Sequence, residues 1–209
     1  MSVLVQEHMY LSKNPLVGWV VQFRVSSILE QIRPGDRVLD AGCCEGFVAL
    51  EMSKKVGSRG RVLCVDVDKG YLASARRNAK RAGAKNVDFL QSDLASFRTL
   101  RKFDKIVCSE VLEHVARPEK IVSALSNCLK PGGRLIVTIP NEIVLRVGRR
   151  LVFGSHARQL EKTTDHKSVL DAGVVVGMAR YSGLEPVLVR EIPFPLVFLN
   201  QLLVFRKTG

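Results

Sequence analysis

The sequence predicts a doubly wound α/β domain, and three observations carry that expectation. Short apolar segments alternate with longer amphipathic ones from Arg37 to Ile139. The first of them, Arg37 to Ala41, runs directly into Gly42-Cys43-Cys44-Glu45-Gly46, a glycine turn that opens a helical segment. The second ends Val65-Asp66-Val67-Asp68 and the third is followed by Ser92-Asp93, so successive strands deliver acids to one edge. Strands bounded on both sides by helices imply a mostly parallel sheet covered on both faces.

Each element has a local reason. Leu16 to Ile32 carries a helical apolar period and stops at the Pro34-Gly35-Asp36 turn. Arg37 to Ala41 is then a strand and Phe47 to Val56 a helix. Arg61 to Val67 is the second strand, and Lys69 to Ala82 a helix closed by Gly83, with Asp68 placed to cap it. Asn86 to Leu90 and Phe103 to Cys108 are the third and fourth strands, and Pro118 to Leu129 the next helix. Pro131-Gly132-Gly133 reads as a turn before a fifth strand, Arg134 to Ile139. Ser168 to Tyr181 reads as a helix, followed by strands Pro186 to Ile192 and Phe198 to Phe205, a hairpin-like edge with the last strand antiparallel.

A length of 209 residues suits a single domain of roughly 150 residues with appendages. Those appendages are a helical cap over 1–33 and a basic insertion over 141–167, flanking a core over 34–140 and a C-terminal helix and strand pair over 168–209. The insertion holds Arg146, Arg149, Arg150, Arg158, Lys162 and Lys167 against three acids, and is expected to lie as a lid over the strand ends. With 46% hydrophobic and 25% charged residues, disorder is excluded. The net charge of +12 admits an anionic partner or simply a basic surface. Five cysteines, with no C-x-x-C pair, suggest neither a disulfide framework nor a thiolate zinc site, but a reducing compartment. The N-terminus lacks a signal pattern, and the longest uncharged stretch, Ile192 to Phe205, is short and broken by prolines. No transmembrane segment and a cytoplasmic location are the expectation.

The glycine turn is the first chemical signal. Glycines there let backbone approach a nucleotide-like ligand, and a helix N-terminus offers free N–H groups. The phosphate-loop pattern fails, because no Gly-Lys-Ser/Thr follows; the dinucleotide fingerprint fails at Cys44 and Phe47. Asp66, about twenty residues further on, is placed to accept ribose hydroxyl hydrogens. Trp19 and Phe23, four apart on the first helix, read as core rather than as a substrate platform.

Taken in order, Asp40-Ala41-Gly42-Cys43-Cys44-Glu45-Gly46, Val65-Asp66-Val67, Ser92-Asp93-Leu94, Ser109-Glu110-Val111-Leu112-Glu113-His114-Val115 and Leu129-Lys130-Pro131-Gly132-Gly133 resemble the class I S-adenosylmethionine-dependent methyltransferases, with their Rossmann-like fold. The resemblance implies that Gly42 and Gly46 flank the methionine part of the cofactor and that Asp40 is among the cofactor-binding residues. It implies that Asp66 and Val67 meet the ribose side, Asp93 and Leu94 the adenine, and Ser109 the sulfonium. Arg24, on the preceding helix, would meet the methionine carboxylate, as an arginine does in some ubiquinone-type relatives, or stand as a surface helix charge. One departure stands out: Cys44 occupies a position where the family usually has glycine, which narrows the cofactor's path and raises a non-catalytic partner protein as one alternative.

Glu110-x-x-Glu113-His114 is similar to the segment of ubiquinone-pathway O-methyltransferases and small-RNA 2′-O-methyltransferases that in some members holds a divalent cation. By that resemblance Glu110, Glu113, His114 and His166 are metal candidates, with His156 as another. The reading preferred over a metal is that these side chains cap the helix or line the pocket. His114 is then the nearest general base. The expected activity is methyl transfer from S-adenosylmethionine to an oxygen of a small hydroxylated acceptor, with RNA as the alternative substrate. The sequence fixes no oligomeric state.

Overall fold

The structure, a computed structural model, describes residues 15–141, 170–194 and 197–209. The lid expected beyond Asn141, with His156 and His166, and the Trp19 side chain fall outside them. So does His8.

Helix α1 spans Pro15–Leu29, followed by β1 (Arg37–Ala41), α2 (Phe47–Val56), β2 (Arg61–Asp66), α3 (Lys69–Arg81) and β3 (Val87–Gln91). Then come β4 (Phe103–Ser109), a single 3-10 turn (Leu112–His114), α4 (Pro118–Cys128), β5 (Leu129–Pro140), α5 (Ala172–Tyr181), β6 (Leu184–Phe194) and β7 (Val197–Lys207). The seven strands form one sheet in the order β3-β2-β1-β4-β5-β7-β6. Pairing is parallel through β5, and β7 runs antiparallel to both β5 and β6. The last strand is therefore interior and β6 is the edge. Pro186 and Pro193 sit in that edge strand beside its two register shifts, where a missing N–H is tolerated.

Successive side chains of a strand point to opposite faces, and the core divides accordingly. Leu39, Leu63, Val65, Ile106, Leu135, Val137, Leu203 and Phe205 pack with Ile121 and Leu125 of α4 and Val175 and Ala179 of α5. Their neighbours Val38, Val62, Cys64, Val107, Ile136, Leu202 and Val204 pack with Ile28, Met52 and Leu72, from α1, α2 and α3. Phe23 is partly buried against this second cluster. Two helices thus cover one face and three the other.

Three boundaries differ from the sequence reading for identifiable reasons. Pro131-Gly132-Gly133 does not end a strand: β5 begins at Leu129 and these residues bulge out, so that Phe103 pairs with Leu129 but Lys105 already pairs with Arg134. Gly133 is required there, since a Cβ would lie 2.9 Å from the Lys130 carbonyl oxygen. Helix α5 starts at Ala172 because Asp171 is extended and its carboxylate accepts the Val174 N–H at 2.9 Å. Helix α1 ends at Leu29, leaving Ile32 to enter the core from the following turn. Asp68 caps α3 as expected, accepting the Tyr71 N–H at 2.9 Å.

Candidate functional site

The strand order reverses between β1 and β4, which opens a crevice at their carboxyl ends, where open α/β sheets hold ligands. The β1–α2 turn forms one wall. Gly42 and Gly46 both have positive φ (79° and 78°), a conformation glycine adopts without strain. The Val65 carbonyl accepts from both Gly42 N–H (2.8 Å) and Cys43 N–H (3.1 Å), tying the turn to β2. Cys44, between the glycines, is also left-handed at φ 46°, and its N–H donates to Asp66 Oδ2 at 2.9 Å. Asp66 Oδ1 accepts the Asp68 N–H at 3.0 Å. A carboxylate holds about four acceptor positions, so Asp66 keeps capacity for two more donors.

Behind this turn lies Asp40, only 3% exposed, whose Oδ2 has no hydrogen-bond partner among the described residues. Burial first, and the Asp66 charge second, push its pKa from 3.8 up to about 7. Burial also lifts the Cys44 thiol well above its ordinary range, helped by Asp66, so this sulfur is a neutral thiol rather than a nucleophilic thiolate. On the opposite side Val67 is 65% exposed, an apolar side chain at the mouth of the crevice. Asp93 is exposed, with Oδ1 accepting the Ala95 N–H at 2.9 Å, and Leu94 is buried beside it.

A second polar cluster stands at the ends of β4, β5 and β7. Ser109 Oγ and Thr138 Oγ1 are 2.8 Å apart. Thr138 Oγ1 donates to Glu110 Oε1 at 3.1 Å, and Asn200 Nδ2 donates to the same oxygen at 3.1 Å. Glu110 Oε2 pairs with Arg24 Nη1 at 3.3 Å, and both side chains are largely buried (9% and 15% exposed). Arg24 is therefore not a surface helix charge. Thr138 and Asn200 were not singled out from sequence; Thr138 is a lone polar residue inside the apolar run Leu135–Pro140, and Asn200 with Gln201 interrupts the apolar run Val197–Phe205, which is the signal that marks them.

Of the candidate metal ligands, Glu110, Glu113 and His114 lie within the described residues. No group of three His, Cys, Asp or Glu side chains that could hold a metal occurs among the described residues. Glu110 has a positive φ of 54°, which turns its carboxylate to Arg24, Thr138 and Asn200. Glu113 is buried (1% exposed) near Cys108, whose thiol is pushed up first by burial and then by the Glu113 charge. His114 stands exposed on the 3-10 turn. Among the described residues, Glu110, Glu113 and His114 thus do not gather into a site for a divalent ion.

Comparison with known proteins agrees with this architecture. Residues 32–182 match the family model described as "Methyltransferase domain". Two curated relatives, both named ubiquinone biosynthesis O-methyltransferase, are 32% identical over 168 residues (Xanthomonas axonopodis pv. citri) and 33% identical over 156 residues (Xanthomonas euvesicatoria pv. vesicatoria). Those alignments cover 78% and 72% of this chain but only 68% and 63% of the relatives. Among solved structures, a SAM-dependent methyltransferase from Aquifex aeolicus superposes with a TM-score of 0.69 at 19% identity, covering 96% of this chain and 97% of the other. The chain belongs to the methyltransferase domain family. Its fold is that of the class I S-adenosylmethionine-dependent enzymes, and it carries no described helix long and apolar enough to cross a membrane.

Proposed function

We propose that this protein transfers the methyl group of S-adenosylmethionine to an oxygen of a small hydroxylated acceptor. The observation that carries the reading is the crevice between β1 and β4, with its two left-handed glycines, its Asp40–Asp66 pair and the exposed Val67. These residues fit the cofactor. Asp66 has acceptor capacity for ribose hydroxyls, the exposed Val67 offers apolar surface beside it, and Asp93, next to the buried Leu94, would receive the adenine amino group. Gly42 and Gly46 leave room for the methionine part, whose ammonium would satisfy the orphaned Asp40 oxygen. Ser109 would lie nearest the sulfonium.

The bound cofactor supplies an activated methyl group on a good leaving group. What remains for the protein is to align the acceptor oxygen within about 3–3.5 Å and to exclude water. The oxygen preference rests on the two relatives named for O-methyl transfer. Where the acceptor hydroxyl needs a base, His114 is the residue we assign, since it follows β4 at the same end of the sheet. Five free thiols suit a reducing compartment such as the cytoplasm.

The test is calorimetry with S-adenosylhomocysteine, followed by transfer of a labelled methyl group to a panel of small phenols and alcohols. Binding in the micromolar range, about −8 kcal/mol, is expected. Asp66→Ala is expected to weaken it by about 1.5–3 kcal/mol through loss of a charge-assisted contact. No binding by the wild type refutes the assignment. Methyl transfer only to RNA, with affinity falling steeply with salt, replaces the acceptor class.

A further inference from the structure

We infer that the Arg24 guanidinium, and not a divalent ion, is the resident cation of Glu110, and that Arg24, Thr138 and Asn200 are positioning residues that fix this carboxylate beside the crevice. That the carboxylate faces the acceptor rests on the methyl-transfer reading; the ion pair and its exclusion of a metal do not.

Three observations converge. The first is the donor count: Oε1 of Glu110 accepts from Thr138 Oγ1 and Asn200 Nδ2, and Oε2 faces Arg24 Nη1. A metal needs lone pairs, and the groups surrounding this carboxylate present hydrogens instead. The second is charge. An arginine stays protonated at every working pH, so it cannot make way for an ion by losing a proton. A divalent cation on Glu110 would sit a few ångströms from a fixed positive charge in partly buried surroundings, where repulsion is poorly screened. The third is backbone. Glu110 holds φ 54°, a strained conformation for a residue with a Cβ, and its N–H donates to the Thr138 carbonyl at 3.1 Å. That kink takes Glu110 out of the strand alternation of β4 and brings it to Arg24 on α1. The consequence is a clamp joining α1 to the ends of β4, β5 and β7, built from one helix residue and three strand-end residues.

The clamp makes α1 part of the site. With Arg24 only 8% exposed and Asn200 5% exposed, the four side chains form one unit in which each strand contributes one polar group, while Arg24 Nε has no hydrogen-bond partner among the described residues. Such a unit sets the distance between the helix and the sheet at the place where an acceptor would enter.

The primary experiment uses the wild-type protein alone: electron paramagnetic resonance of Mn²⁺ titrated into the chain. The free-ion signal is expected to persist up to about millimolar metal, the affinity of a weak surface site. Stoichiometric micromolar binding that Glu110→Gln abolishes overturns the inference, whereas binding that survives Glu110→Gln lies elsewhere and leaves the ion pair as proposed. A double-mutant cycle in urea unfolding with Arg24→Gln and Glu110→Gln tests the pair itself. A coupling of about tenfold in the unfolding constant is expected, with Arg24→Lys retaining part of it; coupling indistinguishable from zero overturns the proposal. Calorimetry with S-adenosylhomocysteine separates the remaining role of Arg24. An equal weakening of its Kd by Arg24→Gln and Glu110→Gln is expected where the pair acts by positioning, and a tenfold loss confined to Arg24→Gln assigns the guanidinium to the cofactor instead. Absence of S-adenosylhomocysteine binding by the wild type would refute the methyl-transfer reading while leaving the manganese and unfolding outcomes to decide the clamp.

Discussion

The Cys44 N–H donates to Asp66 Oδ2 at 2.9 Å, so the acid at the end of β2 holds the turn after β1 through its backbone. The Cys44 side chain takes no part in that bond. Its left-handed φ of 46° is a strain that the loop carries for a Cβ it does not need. Cys44→Gly is therefore expected to keep the turn and the Asp66 contact. Relief of about 1 kcal/mol of strain is offset by 0.5–1 kcal/mol of added chain entropy, so stability should change by less than about 1 kcal/mol. S-adenosylhomocysteine affinity should stay equal or improve. A large loss of affinity in calorimetry would show that the sulfur itself contacts the ligand.

Gly42 gives the opposite expectation. Its φ is 79°, and a Cβ there would lie 2.5 Å from Val111 Cγ2, a stiff β-branched side chain. Gly42→Ala should destabilise the fold by about 3 kcal/mol, combining the left-handed penalty with overpacking. Adding Val111→Ala should recover the packing part and leave the backbone part. Urea midpoints of the two variants check this, and equal midpoints would mean that the overlap with Val111 contributes nothing.

The Asn200 amide donates to a carboxylate already paired with Arg24, and Asn200 is buried. Asn200→Asp would set a second carboxylate directly against Glu110 Oε1, while the one guanidinium of the cluster faces Oε2. A loss of about 3 kcal/mol is expected, the scale of a buried charge without compensation. Unfolding at neutral pH measures it, and an unchanged midpoint would place the amide in solvent rather than in the cluster.

How far the sequence reached is visible in particular residues. Short apolar runs and turn chemistry located every strand, because consecutive residues such as Val38-Leu39 or Val62-Leu63 are buried on opposite faces of the sheet and helix caps such as Asp68 act within a few residues. The insertion of β7 between β5 and β6 was not legible, since pairing partners depend on which edge a strand meets, not on its own composition. Pro131-Gly132-Gly133 looks the same as a turn or as a bulge until the register with β4 is known. At the site, the residues around the glycine turn follow from local pattern. The Arg24–Glu110 pair joins residues far apart in sequence and depends on a single left-handed φ, which nothing in Ser109-Glu110-Val111 announces.

The Asp40 carboxyl provides a pH test with a definite sign. Burial, then the Asp66 charge, raises its pKa from 3.8 to about 7 in the folded chain. Between those values the folded protein keeps a proton that the unfolded chain has released. The group's stabilising contribution is therefore fully present below pH 3.8 and is lost as pH rises through about 7. At about 1.4 kcal/mol per unit the full interval amounts to at most about 4 kcal/mol. Asp40→Asn keeps the shape and removes the titration, so its stability should fall less steeply than the wild type's between pH 4 and 7. Above pH 7 the variant should be the more stable of the two, because a buried carboxylate facing Asp66 is replaced by a neutral amide. Urea midpoints across that range decide the matter: parallel curves would mean that Asp40 titrates alike in the folded and unfolded chain, and that its orphaned oxygen reaches water.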